Sequence, residues 1–235
     1  KLFERDAAMV TAGVATMGAG VAGLAGAFKA ANIAGEFEQG LAGLSAVAKA
    51  TDEEMKLARD SVIKAGMETQ FSPTEALAGM QQLVTAGQTI QDSAKTLIPV
   101  MDLAAGSLGN LSVEGAADAI IGTMNSYQMS ADQATGVTNK LLRITQLTNF
   151  ATNDFAGALA KAASNGAMFG TELDDVLITI GLLRNANIDA SSAGTGFRES
   201  IRRVATMPAQ QDKLKALGIE TYDEMGKMRS IVEII

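Results

Sequence analysis

Residues 71–92 read FSPTEALAGMQQLVTAGQTIQD, and this stretch combines the start of one helix, a turn and the start of a second helix. Ser72 is a residue type that caps helix N-termini, and Pro73 suits the first helical position. The apolar residues that follow recur at helical spacing. Gly87 favours a turn, and Thr89 is again a hydroxyl residue with an acid three positions later. The stretch therefore predicts a helix–turn–helix unit.

Cap-type residues recur downstream at nearly constant spacing. Four that could begin the first helix of a unit lie 40 residues apart, namely Ser72, Ser112, Thr152 and Ser192. Three that could begin the second helix lie 41 residues apart, each with an acid or amide three positions later: Thr89 with Asp92, Ser130 with Gln133, and Thr171 with Asp174. Such pairs satisfy backbone N–H groups at a helix start. We therefore predict three helix–turn–helix units of about 40 residues, stacked or folded back on one another.

The composition favours an all-α fold. Hydrophobic residues make up 47% of the 235 residues, yet aromatic residues make up only 4% and tryptophan is absent. Alanine, glycine, leucine, isoleucine and methionine carry the apolar content, which suits closely packed helices better than sheets. Only 3 prolines interrupt the chain, so long helices are possible.

Four regions are predicted along the chain. Residues 1–32 form an Ala/Gly-rich hydrophobic helix, residues 33–70 a helical hairpin, residues 71–207 the core of helical units, and residues 208–235 the start of a following helical segment. Within the core, turns are expected at residues 127–129 and 165–170. A loop of small residues is expected at 185–196, because serine and glycine cluster there.

Residues 7–28 contain no charged residue, and 22 residues are enough to span a bilayer as a helix. The stretch is only weakly hydrophobic, however, because alanine and glycine dominate it. Gly18, Ala22, Gly26 and Ala30 recur at intervals of four, a pattern that lets two helices approach closely. Both a tightly packed helix of a bundle and a segment that enters a membrane fit this pattern.

The charge and the missing residue types exclude several classes of function. Lys and Arg number 19 against 26 Asp and Glu, a net charge of −7 that argues against specific nucleic-acid binding. The densest basic run, Arg198, Arg202 and Arg203, is short and is interpreted as a solvated helix face. Histidine and cysteine are both absent, so neither a catalytic triad nor a thiolate site can be assembled. We expect no catalytic, cofactor or metal site and no enzyme activity.

From Phe37 onward the chain resembles the core region of phage tail tape-measure proteins, the minor tail protein family. The resemblance covers about 200 residues in the expected order and is carried by these stretches: Glu36-Phe37-Glu38, Phe71-Ser72-Pro73-Thr74-Glu75-Ala76, Leu83-Val84-Thr85-Ala86-Gly87, Asn153-Asp154-Phe155, Gly170-Thr171-Glu172-Leu173, Ser192-Ala193-Gly194-Thr195-Gly196-Phe197-Arg198 and Leu217-Gly218-Ile219. Each stretch alone is of low specificity, and the ordered set carries the resemblance.

The resemblance implies a structural role in a virion. Proteins of this family occupy the lumen of the tail tube or the tail tip, set tail length during assembly, and leave ahead of the DNA, with a channel through the host envelope as a further expectation. The partners implied are further copies of the chain (three or six), tail-tube and tail-tip or baseplate proteins, tail assembly chaperones and the host membrane. Two alternatives stay open: an α-helical scaffold or adaptor domain, and a pore-forming membrane protein that uses residues 7–28.

Overall fold

A computed structural model describes residues 21–109, 111–148, 155–224 and residue 229. Within these ranges the regular elements are ten α-helices and one short 3-10 helix, so the predicted all-α class is confirmed. The α-helices are α1 (Val21–Ala48), α2 (Asp52–Glu68), α3 (Pro73–Thr85), α4 (Ile90–Gly106), α5 (Val113–Ser126), α6 (Ala134–Leu147), α7 (Phe155–Met168), α8 (Leu173–Asn185), α9 (Ala190–Thr206) and α10 (Pro208–Ala216). The 3-10 helix, Ala131–Gln133, leads into α6.

The helices pack in two layers, because the chain alternates between them. Helices α1, α3, α5, α7 and α9 contact one another in that order and form what we call the odd layer. Helices α2, α4, α6 and α8 do the same and form the even layer. Short connections make consecutive helices antiparallel, so the helices within one layer run parallel. That the helix pairs are internal repeats stays a prediction from the sequence.

The core between the layers consists of aliphatic residues rather than aromatic ones. Its largest fully buried side chains are those of Leu44, Met80, Leu83, Leu97, Met101, Leu103, Ile120, Leu141, Leu159, Ile180 and Ile201. Burying each such side chain stabilises the fold by about 1.5–3 kcal/mol. Alanines fill the remaining contacts and keep the helices close together, as the composition predicts.

The prediction of a loop over residues 185–196 is wrong, because a helix occupies the second half of this range. Helix α9 begins at Ala190, and the carboxylate of Asp189 caps it by accepting the backbone N–H of Ser192 at 2.9 Å. Ser192 therefore lies inside the first turn and is not a cap. The small residues serve packing, since a Cβ on Gly194 would stand 2.8 Å from the carbonyl oxygen of Ala158 in α7. Close contact between two backbones outweighs the low helix propensity of glycine here.

Several other boundaries differ from the sequence-based expectation. Helix α7 continues to Met168, so the turn that was predicted from residue 165 starts later. Helix α1 runs without interruption across the predicted boundary between residues 32 and 33. Helix α4 contains Pro99. The carbonyl oxygen of Pro99 accepts the buried hydroxyl of Thr138 at 3.0 Å, which ties α4 to α6.

Two glycines in α9 allow a matched test of the packing. Gly194→Ala would push a methyl group against the Ala158 backbone and should lower the free energy of unfolding by about 1–3 kcal/mol. Gly196→Ala meets no atom within 4 Å, and it should raise the free energy by up to about 1 kcal/mol through helix propensity. Urea unfolding followed by circular dichroism measures both. Equal effects of the two substitutions would contradict the close approach of α7 and α9.

Candidate functional site

The predicted caps of the first helices are placed as follows. Ser72 is the N-cap of α3: its hydroxyl accepts the Glu75 N–H at 3.3 Å, and the Glu75 carboxylate accepts the Ser72 N–H at 2.8 Å. Ser112 is the N-cap of α5, with its hydroxyl 3.1 Å from the Gly115 nitrogen. Thr152 lies outside the described residues. These hydrogen bonds satisfy backbone donors that a helix start leaves without partners.

Of the three residues predicted to cap the second helix of each unit, two are N-caps in the structure and one is not. Thr89 is the N-cap of α4, and its hydroxyl accepts the Asp92 N–H at 3.1 Å. Ser130 caps the 3-10 turn before α6, where its N–H donates to the side-chain amide oxygen of Gln133 at 3.0 Å. Thr171 is not a cap. The helix begins one residue later, with Glu172 at the N-cap position and Thr171 buried behind it.

The turns that lead into α4, α6 and α8 share one backbone geometry. Gly87, Gln128 and Gly170 each adopt a left-handed conformation, with φ of 98°, 52° and 74° respectively. The N–H of the residue that follows each of them donates to a carbonyl five positions back, at 3.1, 2.8 and 2.8 Å. This pattern ends a helix by satisfying its last carbonyl groups. Gln128 is the one of the three that carries a Cβ in this strained region.

Tyr127 joins two of these turns. Its hydroxyl donates to the Thr171 carbonyl oxygen at 3.1 Å, which links the turn after α5 to the turn after α7. Burial raises the pKa of the Tyr127 phenol far above its usual range, and the nearby carboxylates of Glu172, Asp175 and Asp174 act in the same direction. The phenol therefore stays neutral and acts as a hydrogen-bond donor. The arrangement serves as a clamp between turns and not as an acid or base.

Polar contacts link neighbouring helices of the even layer. The amide of Gln91 donates to the Glu54 carboxylate at 3.0 Å. Lys95 pairs with Asp132 at 2.8 Å and Lys140 pairs with Asp174 at 2.9 Å. The Asp132 hydrogen bond raises the pKa of the Lys95 ammonium. Such exposed pairs contribute roughly 0–1 kcal/mol each, so they add little to the stability of the fold.

Two edges of the even layer expose apolar side chains. On α2, Ile63 is 36% exposed and Met67 is 79% exposed; these two residues are the α2 edge. On α8, Ile178 is 42% exposed and Leu182 is 61% exposed; these two are the α8 edge. Both edges lie on the terminal helices of the even layer and expose apolar side chains, so both are candidate interaction surfaces.

Of the stretch 7–28, which the sequence presents as a possible membrane segment, residues 7–20 lie outside the described residues. Among the described helices, none combines the length and the apolar character needed to cross a membrane. Ala22, Gly26 and Ala30 lie in α1, while Gly18 lies outside the described residues. The predicted close packing of these four residues against another helix stays a prediction.

The charged residues of the described ranges form no cluster that could hold a metal ion. In the basic run of α9, Glu199 pairs with Arg198 at 3.4 Å and with Arg202 at 2.8 Å. The pKa of the Glu199 carboxyl is lowered, chiefly by its hydrogen bond from Arg202. The run is therefore partly neutralised within its own helix.

The stacked helices, the capped turns and the two exposed apolar edges are features of a structural module. Residues 59–235 match a protein family described as "Phage-related minor tail protein". The chain belongs to this phage minor tail protein family. It is 32% identical over 211 residues to the "Tape measure protein" of Pneumococcus phage Dp-1, covering 88% of this chain and 18% of that protein. It is 27% identical over 230 residues to the "Probable tape measure protein" of Escherichia phage P2, covering 97% of this chain and 28% of that protein.

The chain thus spans less than a third of either relative. No solved structure matches it. Sequence reasoning located most of the caps but missed the Tyr127 clamp, because a tyrosine at the end of a helix carries no signal for a partner 44 residues away.

Gln128 offers a direct test of the turn geometry. Gln128→Gly removes the strain of a side chain at φ 52°, and it should raise the free energy of unfolding by up to about 1 kcal/mol. Gly87→Gln introduces the same strain at the equivalent position and should lower it by about 1 kcal/mol. Chemical denaturation measures both. A Gln128→Gly protein less stable than the parent chain would refute this account of the turns.

The capping box that contains Glu75 makes the stability of the protein depend on pH. Hydrogen bonds from the Ser72 backbone N–H and hydroxyl hold the pKa of the Glu75 carboxyl below 4.5. A lowered pKa contributes stability that is complete above pH 4.5 and is lost as the pH falls through the folded-state pKa. The stability advantage of the parent chain over Glu75→Gln should therefore shrink between pH 7 and pH 3, measured as the difference in melting temperature. A difference that stays constant over this range would disprove the link.

Proposed function

We propose that this chain is the folded module of a phage tape-measure protein that sits in the tail-tube lumen or at the tail tip and takes part in setting tail length. The observation that carries the proposal is family membership over residues 59–235, together with two tape-measure relatives that cover 88% and 97% of the chain. Its role is structural rather than catalytic, because the side-chain arrangement described above serves capping, packing and register.

The folded dimensions of this module suit a docking role better than a role in measuring the length of the tail. A single extended helix grows by about 1.5 Å per residue, so 40 residues would add about 60 Å to a ruler. Two packed helices, in contrast, lengthen a two-layer stack by one interhelical spacing, about 8–10 Å. A chain folded in this way changes length little with residue number. We therefore propose that the length-determining part of the tape-measure protein lies outside this module, and that this module lies at one end of that part.

The proposed partners follow from that position. They are further copies of the same chain, three or six in number, with tail-tube and tail-tip or baseplate proteins and the assembly chaperones of the tail. The protein leaves the tube ahead of the DNA and then reaches the host envelope, where it contributes to the channel for the genome. The net charge of −7 supports passage of DNA without retention, because like charges repel.

Two in-frame deletions of equal length in the full gene test the proposal by electron microscopy of tails. Deletion of residues 112–151, which include α5 and α6, should shorten the tail by no more than about 10 Å, one interhelical spacing. Deletion of 40 residues from a long helical part outside this module should shorten it by about 60 Å. A loss of about 60 Å from the first deletion would mean that the module lies extended in the tube. Unchanged tails after both deletions would rule out a tape-measure role.

A further inference from the structure

The two-layer stack has two ends, and each end consists of one helix from each layer. Helices α1 and α2 form what we call the α1–α2 end, and helices α8 and α9 form the α8–α9 end. Among the described helices, each one between these ends has a neighbour on both sides within its own layer, whereas a terminal helix has a main neighbour on one side only. Helix α10 packs against α9 and leaves part of it exposed.

The even layer contributes apolar side chains to both ends. At the α1–α2 end these are Ile63 and Met67 of the α2 edge, and at the α8–α9 end they are Ile178 and Leu182 of the α8 edge. The two residues of each edge are four positions apart, so their side chains lie one helical turn apart on the same face. The α2 edge also borders a surface depression of about 360 Å³, which is large enough to receive an apolar side chain from another molecule.

The odd layer contributes charges, and their sign differs between the two ends. From residue 33 to the end of α1 the charged residues are Glu36 and Glu38, a net charge of −2. Helix α9 holds three arginines and one glutamate, a net charge of +2. Opposite charges on two surfaces favour contact between them, and like charges disfavour it.

Each of these two helices keeps one exposed charge outside the ion pairs of the molecule. Glu38 pairs with Arg59 at 2.6 Å, whereas Glu36 is exposed and forms no ion pair with a described residue. On α9, Glu199 pairs with two of the three arginines, and the third, Arg203, is exposed and lies beyond ion-pair distance of Glu199. The opposite charges of the two ends are therefore only partly neutralised within one copy.

We propose that these ends join copies of the chain head to tail, with the α8–α9 end of one copy packed against the α1–α2 end of the next. The apolar edges then meet in the even layer, and the opposite charges meet in the odd layer. Two identical ends would fit less well, because like charges would meet in the odd layer. The inference rests on the proposed function for the assembly with further copies, and it identifies the surfaces that join them.

The size of the two ends suits a weak but specific contact. Helices α2, α8 and α9 have 17, 13 and 17 residues, so each is about 20–25 Å long. Two helices side by side, each about 10 Å wide, cover about 400–500 Å² on one copy and up to about 1,000 Å² on both. This area is at the lower limit for a specific interface, so the association should depend on protein concentration. Because the two surfaces differ, copies joined in this way can close into a ring.

Cysteine cross-linking tests the contact between copies, because the chain contains no cysteine. Copies with Leu182→Cys are mixed with copies with Ile63→Cys at about 0.1 mM, since an interface of this size binds weakly, and are treated with a short bis-maleimide. The mixture should give cross-linked dimers, and neither variant alone should. As a control, Leu147→Cys, which is equally exposed but lies on the inner helix α6, should give none when mixed with Ile63→Cys.

Two results would overturn the inference. Dimers from either variant alone would mean that identical ends meet, and a mixture without dimers would mean that the α2 and α8 edges do not meet. Neither result would change the tail lengths expected for the two deletions above. The inference and the proposed function can therefore fail separately.

Charge reversals provide a second test. Arg203→Glu and Glu36→Arg change the net charge of the chain in opposite directions, yet each should raise the Kd of association about 3- to 10-fold, because each weakens the attraction between the ends. Arg143→Glu, at an exposed position on the inner helix α6, should change the Kd by less than about twofold. Sedimentation equilibrium measures the Kd, and circular dichroism verifies that each variant is folded. Opposite effects of the first two variants would show that overall charge, and not contact between these ends, controls the association.

Discussion

Close approach of parallel helices within one layer is the constraint on which the rest of the structure depends. At Gly194 the α9 backbone comes so near to the α7 backbone at Ala158 that a single added methyl group would meet a carbonyl oxygen at 2.8 Å. A small residue is needed on at least one side of such contacts, as where Gly40 and Gly79 face the branched side chains of Leu77 and Val113. This explains why the chain is rich in alanine and glycine but poor in aromatic residues. Such a composition would otherwise suggest a hydrophobic core that contributes little stability.

The turns are the second constraint, because each must reverse the chain within a few residues and start a new helix in register. In the turns before α4 and α9, the left-handed residues Gly87 and Asn187 end one helix, and the side chains of Thr89 and Asp189 begin the next. The Tyr127 phenol then fixes one turn to another through the Thr171 carbonyl group. Polar pairs between neighbouring helices, such as Lys95 with Asp132, add contacts along the layer. The capping hydrogen bonds within each turn and the contacts between different turns therefore favour the same arrangement of helices.

The sequence predicted the all-α class and most helix starts because caps are local: Ser72 and Thr89 act on backbone groups three residues away. It failed at residues 190–196 because the reason for small residues there lies on another helix, about 35 positions earlier. The strain at Gln128 and the Tyr127 clamp were also invisible, since glutamine and tyrosine have no preference for those roles. Local chemistry was predictable, and contacts between distant segments were not.

Among the described helices, the main contacts join each helix to the next and to the next but one, and this has a mechanical consequence. The free energy of this part of the fold is approximately a sum of neighbouring terms. A pull applied at one end would peel off helix pairs one after another at modest force, instead of rupturing the whole fold at once. A protein built in this way can be threaded out of a narrow passage while the part still inside keeps its structure.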